Sequence, residues 1–332
     1  MESEWLEREL NLTFEFTDPL EVSNESYVRA ILTEDILKWE NVLANFPRRS
    51  IAIFLVGNEF YNTEIFKELD RFESISVAFV QYLPNAKSKF PIKFIYWTLI
   101  KTPSICRESS FWKTLKTAFE TYLRMKKLKL KTKTYLLPLG YTNRFIDELS
   151  LLIGMTKGVS VLEGSPKVNG QKIRESSIFF MGQRGSWLRR KIVNDFRIEK
   201  EAKIFDYGGW GGGKKSNSTA YIQLLLTQKY CLCPPGNLAN DTPRYYEAIS
   251  LGSLPLLTRV SIQDWSDYDH WPKFLGCSNS HATIHEIYTR LEELTDAEFN
   301  AALSRIISYE RDKIRKLREL IWLYLGRSEK TT

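Results

Sequence analysis

Long apolar runs are missing from this sequence of 332 residues. None of its apolar stretches approaches the ~20 residues that a membrane-spanning helix needs. The N-terminal residues, MESEWLERELNLTFEF, begin with acidic side chains and contain no apolar core, which is not the pattern of a secretory signal. We therefore expect a cytoplasmic protein, for which contact with a membrane would be peripheral and at the inner face.

Cysteine and histidine are also scarce, with 4 cysteines and 3 histidines in the chain. Cys231 and Cys233 alternate along a predicted strand, so their side chains should point to the same face. The histidines, His270, His281 and His285, have no zinc-like spacing relative to these cysteines. The pattern favours reduced structural thiols and predicts neither a metal site nor another cofactor.

Two common phosphate-binding patterns are absent as well. The turn in FFMGQRGSWLRRK lacks the Gly-Lys-Ser/Thr ending of a Walker loop, which argues against a P-loop ATPase. The glycine-dense segment GGWGGGKKSNST, residues 208–219, is not a dinucleotide fingerprint. This segment could cradle a phosphate or close over a cleft, but taken alone it favours a flexible connection.

Positive charge, by contrast, is in excess. The net charge of +7 and a pI near 9.0 favour an anionic partner. The densest basic run, RMKKLKLKTK, begins with Arg124, ends with Lys133 and follows a predicted amphipathic helix that starts near Phe111. This run is either a solvated helix end or a contact for anionic lipid or a charged acceptor. Because few aromatic residues lie within it, no nucleic-acid partner is expected.

Apolar segments of strand length alternate with helical segments along the chain. The predicted strands cover residues 50–57, 74–83, 90–100, 133–141, 177–182, 202–207, 230–233 and 254–257. This alternation is typical of an α/β fold with doubly wound parallel sheets, and the length predicts two domains. The polar segment 154–177 is the predicted crossing between them, and residues 311–332 are predicted to add a closing helix.

The most specific stretch is YCLCPPGNLANDTPRYYEAISLGSLPLL, residues 230–257. A helix should begin at Pro243 with Thr242 as its N-cap, just beyond the carboxyl end of a buried strand. Arg244 suits the oxygens of a phosphate, and Glu247 lies one turn further on the same face. Glu247 could accept hydrogen bonds from two adjacent sugar hydroxyls. The alternative is an Arg–Glu ion pair on the surface.

A second basic turn follows the strand in FFMGQRGSWLRRK. Gly182 and Gly185 would allow a ligand to approach closely, and Arg184, Arg189 and Arg190 supply positive charge near a helix start. A diphosphate would suit this place. A plain β–α turn beside a basic helix is the alternative.

Taken together, these segments resemble the exostosin-type glycosyltransferases. Residues 230–257 are similar to that family's signature of a Cys-Pro-x-Gly strand end, Ser/Thr-x-Arg-x-x-Glu-Ala and Gly-x-x-Pro. SIFFMGQRGSWLRRKI resembles the strand and turn that open the donor domain, and YLLPLGY resembles the segment before it. FLVGNEFYNTE, residues 54–64, is similar to a segment in the branch that contains the ribitol xylosyltransferase of dystroglycan glycan assembly. The resemblance covers about residues 50–265.

The resemblance implies a GT-B architecture, in which two Rossmann-like domains face a cleft. Residues 1–155 would form the acceptor-side domain and residues 156–310 the domain that binds the nucleotide-sugar donor. The implied activity is an inverting, metal-independent transfer from a nucleotide-diphosphate sugar, with UDP-xylose as one candidate. The acceptor would be a glycan or a polyol phosphate in the synthesis of a cell-surface or capsular polysaccharide.

The resemblance also implies roles for individual residues. It places the donor ribose at Glu247 and the diphosphate at Thr242 and Arg244. Gly182 and Arg184 fall on the first turn of the donor domain. We therefore predict that these five residues bind the donor.

An inverting transfer needs a base that takes the proton from the acceptor hydroxyl. All three histidines follow residue 265, so a carboxylate of the first domain is expected. Glu59, at the carboxyl end of the predicted strand 50–57, is the predicted catalytic base, and Asn58 and Asn62 are predicted to bind the acceptor. The alternative for Glu59 is a structural carboxylate in a β–α loop. The alternative function is a non-catalytic nucleotide- or polyanion-binding protein with the same fold.

Overall fold

The structure is a computed structural model. It describes residues 4–10, 14, 30–33, 35–56, 64–81, 116, 120, 123, 132–138, 140–153, 174–183, 189–190, 193–194, 202–206, 218–234, 242–257 and 284–325. The chain forms two compact units. Unit 1 comprises Met1–Lys87, Thr117–Leu139 and Lys313–Thr332, and unit 2 comprises Ser88–Lys116 and Gly140–Asp312.

Unit 1 contains a four-stranded parallel sheet. Its described elements are α1 (Glu4–Leu10), β1 (Ala30–Thr33), α2 (Glu40–Asn45), β2 (Ile51–Leu55), α3 (Glu64–Arg71), β3 (Ile75–Val80) and β4 (Lys133–Leu136). The strands lie in the order β1-β2-β3-β4, which is also their order along the chain. The strands predicted at 50–57, 74–83 and 133–141 are confirmed as β2, β3 and β4, whereas the strand predicted at 90–100 lies outside the described residues.

Both faces of this first sheet are covered by apolar side chains. On one face, Ile53 and Leu55 of β2 join a core that includes Trp39 of the 3-10 turn before α2. On the other face, the register aligns Phe54, Phe79 and Tyr135 across three strands, and neighbouring ring centroids lie 5.0 and 5.7 Å apart. A continuous apolar run such as IAIFL is what a strand buried on both faces requires.

Unit 2 contains a second four-stranded parallel sheet. Its described elements are α4 (Asn143–Ile153), β5 (Glu175–Gly182), β6 (Lys203–Asp206), α5 (Ser218–Thr227), β7 (Gln228–Cys233), α6 (Pro243–Ser250), β8 (Leu254–Leu257), α7 (Ile284–Glu293) and α8 (Asp296–Leu325). Residues 313–325 of α8 belong to unit 1. The predicted strands at 177–182, 202–207, 230–233 and 254–257 are confirmed, and so is the predicted start of α6 at Pro243. The fold is therefore mixed α/β, with two four-stranded parallel sheets.

The strand order of the second sheet differs from its chain order. The strands lie in the order β6-β5-β7-β8, so the chain moves from β5 to one side and then returns to the other side of β5. The direction of winding thus reverses between β5 and β7. In open α/β sheets, ligands bind at the carboxyl ends of the strands where such a reversal occurs.

The units divide the chain differently from the domains predicted at 1–155 and 156–310. Unit 2 begins at Gly140, so α4 belongs to it. The physical reason is that α4 packs on the second sheet's helices: Thr142 at its start contacts Glu247 of α6, and Glu148 within it contacts Thr219 of α5.

The guanidinium group of Arg174 forms hydrogen bonds at the amino end of the second sheet. One guanidinium nitrogen donates to the carbonyls of Leu225 and Gln228 at 2.6 and 3.1 Å, and the other donates to the carbonyl of Leu251 at 2.5 Å. Burial lowers the pKa of Arg174 to about 10. The guanidinium thereby satisfies carbonyls where α5 and α6 end, so it fixes the helices that lead to and from β7.

Among the described residues, no helix combines the length and the apolar character that crossing a bilayer requires. At 30 residues α8 is long, but charged side chains occur throughout it.

Candidate functional site

The start of α6 lies next to the reversal in the second sheet. Thr242 has extended backbone angles (φ −139°, ψ 145°), and Pro243 occupies the first helical position with a ring that suits helical φ. The carbonyl of Thr242 accepts the first helical hydrogen bond, from the N–H of Tyr245 at 3.0 Å. The sequence Thr-Pro-Arg thus sets the helix start locally, as predicted.

The Thr242 side chain does not form the expected capping hydrogen bond. Its hydroxyl is buried, with the residue 2% exposed, and no described residue provides a partner for it. A buried hydroxyl without a partner is unfavourable by about 1 to 3 kcal/mol. At a helix N-terminus, where the backbone carries partial positive charge, such a group marks a place for an anion that accepts hydrogen bonds.

Arg244 lies against the end of β5. Its Nε donates to the carbonyl of Met181 at 3.2 Å, and its guanidinium carbon lies 5.2 Å from the ring centroid of Phe180. Within the described part of the chain, no carboxylate pairs with this guanidinium. One contact to a carbonyl and one to an aromatic face hold Arg244 in place, and neither the carbonyl nor the ring neutralises its positive charge.

Gly182, the last residue of β5, makes this position of Arg244 sterically accessible. Its φ of +154° is a conformation that other residues rarely adopt, and a Cβ there would lie 2.0 Å from an Nη atom of Arg244. The space beside Gly182 is therefore occupied by the arginine. Direct contact between Gly182 and a diphosphate stays a prediction.

Glu247 is buried one turn further along α6 and is 4% exposed. Its Oε1 accepts hydrogen bonds from the backbone N–H of Thr142 at 3.3 Å and from the Thr142 hydroxyl at 2.9 Å. Its Oε2 accepts a hydrogen bond from the Tyr221 hydroxyl at 2.9 Å. The partners of Glu247 are thus neutral donors from the start of α4 and from α5. The alternative of an Arg–Glu ion pair on the surface is wrong, because Glu247 is not on the surface.

The groups around Glu247 are held in their neutral forms. Burial, together with the nearby charge of Glu247, raises the pKa of the Tyr221 hydroxyl well above its ordinary value. Burial likewise raises the pKa of the Cys233 thiol, which donates to the carbonyl of Cys231 at 3.4 Å. The two sulfur atoms lie 3.9 Å apart, which confirms that these free cysteines point to the same face.

The start of α5, another helix N-terminus in unit 2, already has a carboxylate of the protein beside it. At the start of α5, the hydroxyl of Thr219 donates to Oε2 of Glu148 at 3.1 Å. A carboxylate of the protein therefore already lies where an external anion would approach. This contrast favours the start of α6, next to Thr242 and Arg244, as the anion-binding end.

Unit 1 has a cavity of about 440 Å³ at the amino ends of its strands, whereas the start of α6 lies near the carboxyl ends of the strands in unit 2. Its lining includes Phe46 and Ser74, which precede β2 and β3, so it faces the amino ends of these strands. Its charged residues pair with one another, since Arg71 contacts Glu40 and Arg48 contacts Glu73. Because open parallel sheets bind ligands at their carboxyl ends, this cavity is a weaker candidate than the start of α6.

The structure brings together four predicted site residues, namely Gly182, Thr242, Arg244 and Glu247. The others, Arg184, Glu59, Asn58 and Asn62, lie outside the described residues, as does the glycine-dense segment 208–213. In the turn that contains Arg184, the flanking Arg189 is helical, and its Nη1 donates to the carbonyl of Gln183 at 3.2 Å.

The hydrogen bonds of Thr142 and Tyr221 to Glu247 are not predicted from the sequence. Thr142 precedes a helical apolar pattern and its hydroxyl accepts from the N–H of Phe145 at 3.2 Å, so an N-cap at this position could have been predicted. Nothing local indicates that it also bonds to Glu247, 105 residues later.

Chemically, the described residues offer two functions within one helical turn. The start of α6 and Arg244 suit a phosphate group, and the Glu247 carboxylate suits a hydroxyl donor on the same ligand. Compared with known protein families and with curated proteins, the chain has no match.

Proposed function

We propose that this chain is an inverting glycosyltransferase of GT-B architecture, similar to the exostosin-type enzymes. It transfers a sugar from a nucleoside-diphosphate donor to a glycan or a polyol phosphate. The observation that carries the proposal is the start of α6 at the strand reversal. There the buried Thr242 hydroxyl has no partner among the described residues, and none of the described carboxylates pairs with Arg244. A diphosphate supplies the acceptors and the negative charge that this place lacks.

In this function, α6 binds the leaving group of the reaction. The bond between the sugar C1 and the diphosphate oxygen breaks, and negative charge develops on the diphosphate. Arg244 and the N-terminal end of α6 stabilise that charge, because both are already oriented before the reaction begins. Glu247 lies on the ribose side of the diphosphate, one helical turn away.

The acceptor side of the reaction is assigned to Glu59. Glu59 takes the proton of the acceptor hydroxyl while that oxygen attacks C1 on the face opposite the diphosphate, which inverts the configuration. Asn58 and Asn62 orient the acceptor. A UDP-sugar is the donor that the resemblance favours, and a polyol-phosphate acceptor agrees with the net charge of +7.

The proposal is tested by calorimetric titration of the whole chain with UDP, GDP, CDP and CMP in EDTA. One diphosphate should bind, and Arg244→Ala should weaken its binding roughly 10- to 100-fold through loss of a charge-assisted contact. Arg71→Ala is the matched control, since Arg71 also lies over a phenylalanine ring but pairs with Glu40 and Glu68. It should change the affinity by less than about 2-fold.

Absence of binding by all four nucleotides would overturn the proposal. Equal losses in Arg244→Ala and Arg71→Ala would remove the assignment of the diphosphate to α6. Binding without release of the nucleotide from any UDP-, GDP- or CDP-sugar, even with glycan and polyol-phosphate acceptors present, would favour the non-catalytic nucleotide-binding alternative.

A further inference from the structure

The number of hydrogen bonds that Glu247 can still accept is limited. A carboxylate offers about four acceptor positions, two on each oxygen. Oε1 already receives the N–H and the hydroxyl of Thr142, and Oε2 receives the hydroxyl of Tyr221. Among the described residues these three groups are the donors to its carboxylate, so one acceptor position remains, and it is on Oε2.

The donors that occupy the other positions are fixed. The Thr142 hydroxyl accepts from the backbone N–H of Phe145 at 3.2 Å, so its single hydrogen is directed to Glu247. The Tyr221 ring packs edge-on against Phe179, with centroids 6.3 Å apart, and the hydroxyl stays protonated because burial and the charge of Glu247 raise its pKa. A ligand therefore cannot displace these donors without leaving a buried polar group unpaired, which is unfavourable.

We infer that Glu247 accepts a single hydroxyl from the ligand, through Oε2, so that the site recognises one of the two ribose hydroxyls. At 4% exposure, Glu247 has little surface left for a ligand. Thr142 and Tyr221 are then positioning residues that determine this specificity through Glu247. The inference rests on the proposed function, and it narrows the two-hydroxyl contact that the sequence suggests.

The inference is tested by changing the ligand and not Glu247, because replacing Glu247 would also remove the acceptor of the Thr142 and Tyr221 hydrogen bonds. The wild-type chain is titrated with UDP, GDP and CDP and with their 2′-deoxy and 3′-deoxy forms. For the base that binds, one deoxy form should bind at least 10-fold more weakly and the other within 3-fold of the parent. Comparable losses for both forms, or no loss for either, would overturn the inference.

Tyr221→Phe tests the positioning role, since it removes only the hydroxyl and retains the ring. A second position on Oε2 then opens to the ligand, so the ratio between the affinities of the two deoxy forms should shrink at least 3-fold. Tyr230→Phe is the control, because the buried Tyr230 hydroxyl donates to the carbonyl of Leu291 instead. A merely structural Tyr221 would weaken both forms equally and leave the ratio unchanged, which would overturn its role.

The two levels of failure are distinguishable. If no diphosphate binds in an Arg244-dependent manner, the proposed function fails and the inference fails with it. If a diphosphate binds through Arg244 but both deoxy forms behave alike, the proposed function stands and the single-hydroxyl inference alone is wrong.

Discussion

Among the described residues, two guanidinium groups lie over phenylalanine rings, and their surroundings differ. In unit 1, the guanidinium carbon of Arg71, at the end of α3, lies 5.6 Å from the centroid of a phenylalanine ring, and the guanidinium pairs with Glu40 and Glu68. In unit 2, the guanidinium carbon of Arg244, at the start of α6, lies 5.2 Å from the centroid of a phenylalanine ring, and no described carboxylate pairs with the guanidinium. The same stacking contact thus accompanies a neutralised charge in one unit and an unneutralised charge in the other. The second arrangement is the one that suits an external anion.

The two sheets differ in a way that explains this contrast. The described strands of the first sheet lie in chain order, so its winding does not reverse among them. The second sheet reverses between β5 and β7, and the helices on the two sides of a reversal diverge. In open α/β sheets this divergence leaves a crevice at the carboxyl ends of the strands, and Arg244 lies at that end of β5, two residues after Thr242. Strand order, more than composition, therefore separates the candidate site from the rest of the fold.

The greatest change in stability is expected for a buried carboxylate of unit 2, compared with a partly exposed carboxylate of unit 1. Glu247→Ala should lower the free energy of unfolding of unit 2 by about 2 to 4 kcal/mol, because Thr142 and Tyr221 lose their acceptor. Glu68→Ala, which breaks a partly exposed pair with Arg71, should lower that of unit 1 by less than about 1 kcal/mol. Hydrogen exchange of the β7 and β3 amides measures the two units separately.

Equal effects of the two substitutions would contradict this prediction, since Glu247 would then contribute no more to stability than a partly exposed carboxylate.

An intermediate effect is expected where Arg244 lies beside Gly182. Gly182→Ala should destabilise unit 2 by about 1 to 2 kcal/mol, because the new Cβ conflicts with the guanidinium and the backbone has φ +154°. When Arg244 is replaced by Ala, the clash with the new Cβ disappears. The effects of the two substitutions on the free energy of unfolding, measured in urea, should therefore be coupled by about 1 kcal/mol.

Gly252→Ala is the control for this cycle, since its Cβ would meet Arg174 and not Arg244. It should be additive with Arg244→Ala. A coupling for Gly252 as large as that for Gly182 would mean that the cycle reports general destabilisation and not the contact at β5.

The smallest expected effect concerns an exposed pair of unit 2. Hydrogen bonds from Lys203 and Gln228 hold the pKa of Glu175 below its ordinary value. The stabilisation is therefore present above the ordinary carboxyl pKa and is lost as the pH falls through the folded-state pKa. Glu175→Gln should reduce stability slightly at neutral pH, and urea unfolding should show the difference vanishing on acidification. A difference that grows on acidification would contradict the sign of this shift.

Much of the secondary structure could be predicted from local pattern. The apolar run of β2 and the Thr-Pro start of α6 depend on near neighbours in the chain, and both predictions are confirmed. The short strand β1 and helix α5 were missed. The α5 sequence STAYIQLLLT combines a polar start with an almost continuous apolar run, so it lacks the clear period that identifies a surface helix.

The candidate site could be predicted only in part, for the same reason. Arg244 and Glu247 are three residues apart, and helical geometry alone places them on one face. The absence of a capping bond at Thr242 could not be predicted, because it depends on which groups surround the buried hydroxyl.

The α/β class and the parallel strands follow from the order of apolar and helical segments along the chain, and the start of α6 follows from neighbouring residues, so all three are readable without the tertiary structure. The order β6-β5-β7-β8, by contrast, is set by tertiary packing, as are the contact of Arg244 with Gly182 and the bonds from Thr142 and Tyr221 to Glu247. These features join residues 26 to 105 positions apart. Local propensity does not extend that far, so they depend on how the sheet arranges its helices.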